Sequence, residues 1–70
     1  MNSKYQILLR GCDKRGSTLQ QTYAAQERLD VRDLTTRATL HVHAHELSPY
    51  RHTLMLNGME YQILNVIGQH

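Results

Sequence analysis

The chain contains no Trp and no Phe, one Cys, one Pro, and no apolar run longer than three residues. Each scarcity removes a class of protein. With Cys12 alone, no intramolecular disulfide can form, so the chain is not an extracellular disulfide scaffold and a reducing compartment is expected. An apolar stretch such as Ile7-Leu8-Leu9 is shorter than a secretory apolar region of about seven residues and far short of a membrane span of about twenty. A soluble protein without a membrane partner is expected. No phosphate-binding glycine loop and no nucleophile elbow is present. Neither an enzyme, a cofactor nor a small-molecule substrate is expected.

Charge of one sign is also scarce. Eight Lys and Arg stand against six Asp and Glu, for a net charge of +2 over 70 residues. The cations Lys4, Arg10, Lys14, Arg15, Arg28, Arg32, Arg37 and Arg51 alternate with acidic residues, whereas nucleic-acid binding calls for a concentrated basic face. An ordinary solvated surface is the simpler account, and a small nucleic-acid-binding regulator remains an alternative. The length allows one domain, residues 1–70, whose modest core of aliphatic side chains and four Tyr rings suits a protein that gains stability by oligomerising.

Tyr5, Ile7 and Leu9 share a face at strand spacing. After a polar turn over 11–16, Ser17-Thr18-Leu19-Gln20 fits a capping box, and Gln20 to Arg28 has helix propensity with a weak stripe of Leu19 and Tyr23. These features predict a helix. Residues 30–36 are polar and predict irregular chain. From 37 to 46, Leu40, Val42 and Ala44 alternate with Thr39, His41, His43 and His45, predicting a half-buried strand with one wet face. Leu47-Ser48-Pro49-Tyr50 forms the next turn.

Asn57-Gly58 between two apolar runs predicts a type I′ hairpin. Folding there sets Leu56 against Met59 and Leu54 against Tyr61 on one face, with Met55/Glu60 and Thr53/Gln62 on the other. Beyond Ile63 the phase slips, predicting a bulge or a strand end covered on both sides. The expected fold class is therefore α+β: a small antiparallel meander, barrel-like if curled, with one helix, in the order β-α-β-β-β.

Thr36-Arg37-Ala38-Thr39-Leu40, Ser48-Pro49-Tyr50-Arg51, Asn57-Gly58 and Tyr61-Gln62-Ile63-Leu64-Asn65-Val66 together resemble the phage head–tail joining family, the head-closure or adaptor proteins of tailed bacteriophages. Upstream, Tyr23-Ala24-Ala25-Gln26 is similar to the family's aromatic–Ala–Gln segment. The likeness spans about two thirds of the chain. Family members are usually longer, with a further strand region before the helix, and carry aromatics and arginines where this chain has histidines. The resemblance implies a structural protein of a phage or prophage virion. It would act as a homo-oligomeric ring with portal (connector) and tail proteins as partners, and mild positive charge is compatible with nonspecific contact with packaged DNA. Its expected place is the host cytoplasm during assembly and then the virion.

The chemistry-bearing pattern is His41-Val42-His43-Ala44-His45. On a strand the three imidazoles share a face at intervals of about 7 Å. Two such rings can converge on one Zn²⁺, but three along a flat strand cannot, so His52, Glu46 or His70 would have to complete a set. The alternatives are a metal-binding module on His41, His43 and His45, a pH-sensitive interface, or polar filling of a wet face. The last is the simplest, and no metal is assigned. Met55 and Met59 flank the Asn-Gly turn as a candidate apolar tip. The expected interface residues are His41, His43, His45, Met55 and Met59.

Overall fold

A computed structural model of the chain describes residues 3–69. It contains six strands: β1 (Lys4–Gly11), β2 (Thr18–Ala24), β3 (Arg28–Asp33), β4 (Thr39–His43), β5 (His52–Leu56) and β6 (Met59–Gln69). The only helical element among the described residues is a single 3-10 turn, Ala44–Glu46. They form one antiparallel sheet in the order β2-β1-β6-β5-β3-β4.

This overturns the α+β expectation at two places. The segment expected to be a helix is β2, paired along its whole length with β1, with Leu9 opposite Leu19 and Tyr5 opposite Tyr23. Leu19 and Tyr23 are four residues apart, a spacing that puts side chains on one side of a helix and also on one side of a strand. Thr18, Thr22 and Tyr23 favour extended chain, and pairing with β1 outweighs a capping signal of about 1 kcal/mol. β3, Arg28–Asp33, runs from the end of the expected helix into the expected irregular region 30–36. Its inward positions are Leu29, Val31 and Asp33, and its outward positions Arg28, Asp30 and Arg32, an alternation hidden by a carboxylate at an inward position.

Nor is the sheet a meander. β4 pairs with β3, and β3 lies between β4 and β5. Asp33 makes this hairpin possible. Its Oδ1 accepts the backbone N–H groups of Thr35 at 2.7 Å and Thr36 at 3.0 Å. Arg37 takes the left-handed conformation at φ 66° and donates its N–H to the Asp33 carbonyl at 2.8 Å. The predicted strand start at Arg37 is thus a turn, and β4 begins at Thr39.

The sheet must curl. β2 and β3 are separated in the sheet by four strand spacings, about 19 Å if flat. Only Ala25–Glu27 connect them, and the Glu27 N–H bonds to the Ala24 carbonyl at 3.0 Å in a tight turn. Even fully extended, that link reaches at most about 14 Å. The concave side collects Ile7, Leu9, Tyr23, Val31, Leu54 and Ile63, and the 3-10 corner adds Ala44 and Leu47. Five of these (Ile7, Leu9, Val31, Leu54 and Ile63) are fully buried, each contributing about 1.5–3 kcal/mol of apolar transfer.

The C-terminal hairpin follows its sequence signal. Leu56 pairs with Met59, Met55 with Glu60, Leu54 with Tyr61 and Thr53 with Gln62. Asn57 (φ 50°) and Gly58 (φ 78°) both take the positive φ that a type I′ turn requires. The phase slip is a bulge. Leu9 pairs with Ile63 and Leu8 with Asn65, so Leu64 is the extra residue. Val66 thereby comes opposite the buried Ile7.

Candidate functional site

The histidine run divides. His41 and His43 lie on β4 at outward positions, while His45 belongs to the 3-10 turn. The expected row of three imidazoles on one strand face does not form, because the strand ends at His43. Ala44 is fully buried and Leu47 nearly so. Burying both, three residues apart, is met by a 3-10 turn and not by continued alternation. The Ala44 N–H bonds to the Glu27 carbonyl at 2.9 Å and the His45 N–H to the Ala25 carbonyl at 3.1 Å, tying the corner to the β2–β3 link.

His41 Nδ1 contacts Asp30 Oδ1 across the β3–β4 ladder, at the surface. His43 and His45 instead stack, with ring centroids 5.5 Å apart and planes 18° from parallel. Glu46 completes this group. Its Oε1 accepts the His43 backbone N–H at 3.1 Å and lies 3.2 Å from His43 Nδ1. The hydrogen bond from the His43 backbone holds the Glu46 carboxyl below the usual carboxylate range, and the two imidazoles act in the same direction. His43, His45 and Glu46 thus bring three ligand atoms within 4.8 Å of one another. His52 is not part of the group: it is buried, and its Nδ1 accepts the Ser48 N–H at 3.2 Å. His70 lies outside the described residues.

Met55 and Met59 are not joined in one tip. Met59 pairs with Leu56 and Met55 with Glu60, so strand alternation sends them to opposite faces. Met59 is exposed and Met55 half-buried.

Two further features escaped the reading of the sequence. Two of the arginines are engaged with carboxylates: Arg32 lies 3.5 Å from Glu60, and Arg51 Nε lies 3.4 Å from Asp33 Oδ2. Glu60 in turn accepts the Thr53 hydroxyl at 2.6 Å. The other feature is the bare edge of β2. The chain is uncharged from Gly16 to Gln26, and among the described strands β2 pairs with β1 alone. Leu19 and Tyr23 fit helix and strand spacing alike and Gln21 between them is exposed, so only the topology marks β2 as a strand and as an edge.

Fold and surface together define a small all-β module whose imidazole–carboxylate groups lie on the outside, one on the β3–β4 ladder and one at the corner after β4. No helix of the described residues is long and apolar enough to cross a membrane. Comparison of the chain with protein-family models, curated proteins and solved structures finds no match.

Proposed function

We propose that the chain is a structural virion-assembly protein of a tailed phage or prophage, joining head to tail as part of a homo-oligomeric ring with portal and tail proteins as partners. The segments that resemble the head–tail joining family fall at the β3–β4 turn and the start of β4 (36–40), the Ser48–Arg51 turn, the Asn57-Gly58 turn and β6 (61–66), with 23–26 at the end of β2. The observation that carries the assembly reading is the edge of β2. Proteins protect free strand edges with charge, proline or bulges, because an unprotected edge pairs with another chain. Seven residues of β2 carry no charge and no proline, which suits a strand that receives a neighbour.

Light scattering across concentration tests this reading. The expected result is a mass that rises to a defined multiple of the protomer and falls back to the protomer in Thr22→Lys, which puts a charge on the exposed outer side of β2. A strict monomer at all concentrations that binds neither purified portal nor purified tail protein would overturn it.

A further inference from the structure

The geometry points to a divalent-metal site of the zinc class at the corner after β4, with His43, His45 and Glu46 as ligands. The donor set is two imidazoles and one carboxylate, a combination that zinc takes with a fourth position left open. Ligand bonds of about 2.0–2.1 Å in a tetrahedron place donor atoms about 3.3 Å apart. The His43 Nδ1 to Glu46 Oε1 separation is already 3.2 Å. All three donors lie within 4.8 Å, and the remaining gap closes by rotation of side chains that are at least partly exposed. The stacked rings must swing so that their lone pairs converge, which the open surface permits.

The backbone beneath these ligands is anchored. Ala44 and Leu47 are buried on either side of His45 and Glu46, and the Ala44 and His45 N–H groups bond to the β2–β3 link. The Leu47 N–H closes the turn on the Ala44 carbonyl at 3.2 Å. Ligands held on a fixed turn lose little backbone freedom on binding.

His41 is the discriminating residue. A site on the flat strand would use His41 with His43, whereas His41 here faces Asp30 on the neighbouring strand. Native mass spectrometry and calorimetric titration of the full chain with Zn²⁺ test the site. The expected result is one ion per chain, with binding weakened at least about tenfold by His45→Ala and by Glu46→Gln. His41→Ala should leave it unchanged. Circular dichroism of each variant checks that the sheet is retained. Absence of stoichiometric binding, or binding lost in His41→Ala and indifferent to Glu46→Gln, would overturn the assignment.

Discussion

Ser48 donates its backbone N–H to the Nδ1 of His52, four residues further along the chain, at 3.2 Å. Only a ring unprotonated at Nδ1 can accept this bond. His52 is buried, and burial pushes its pKa below the ordinary 6.5, the nearby Arg51 adding to the effect and Asp33 and Glu46 opposing it. Below pH 6.5 the unfolded chain therefore takes up a proton that the folded chain resists. Stability from this group is complete above 6.5 and is lost as the pH falls through the lower folded value.

The expected outcome is a urea midpoint that drops as the pH falls below 6.5. The slope should flatten in His52→Asn, which keeps an acceptor near the Nδ1 position and cannot titrate. An unchanged slope in that variant would show that other groups carry the dependence. Asp33 acts in a lower window. Backbone hydrogen bonds from Thr36 and Thr35 hold its pKa below 3.8, with Arg51 contributing. Its contribution is complete above 3.8 and disappears as the pH drops through the folded value.

Leu64 is surplus to the ladder, so its removal joins Ile63 to Asn65 while Leu9, Leu8 and Ile7 keep partners Ile63, Asn65 and Val66. Deletion of Leu64 should leave a cooperatively unfolding protein. Deletion of Gln62 should cost more, because the register set by Asn57-Gly58 keeps Tyr61 in place, moves Ile63 to the outer side and brings Leu64 into its core position. Urea unfolding followed by far-ultraviolet circular dichroism compares the two. Equal damage from both deletions would mean that the bulge itself is required to bend β6.

Tyr23 is buried on β2 opposite Tyr5, yet its hydroxyl has no hydrogen-bond partner among the described residues. Burial raises its pKa above 10.0, and the charge of Glu27 raises it further. An unpartnered buried hydroxyl costs about 1–3 kcal/mol. Tyr23→Phe keeps the ring and removes the polar atom, so a gain of about 1 kcal/mol in unfolding free energy is expected. A loss of similar size would show that the hydroxyl is satisfied in solution.

The C-terminal hairpin was legible because its signals are local. Asn57-Gly58 sets the turn, the turn sets the register, and the phase slip after Ile63 marks the bulge. The N-terminal half was legible only in part. Leu19 and Tyr23 satisfy both helix and strand spacing, and β3 carries Asp33 at an inward position that looks like loop until its bonds to Thr35, Thr36 and Arg51 are seen. The candidate metal group was half legible. The histidines drew attention, but Glu46 displaced His41 from the set, because the strand stops at His43 to bury Ala44 and Leu47.

What the sequence determined alone is the alternation of β1, β4 and the C-terminal hairpin, where the type I′ turn falls, and that chemistry-bearing side chains cluster between His41 and Glu46. Tertiary structure decided the rest: β2 as a strand, β3 inserted between β4 and β5, and His45 turned away from His41. The reason is physical. Turn conformation depends on the φ preferences of two adjacent residues, whereas extended chain has no hydrogen bonds of its own and takes its identity from the strands that pair with it.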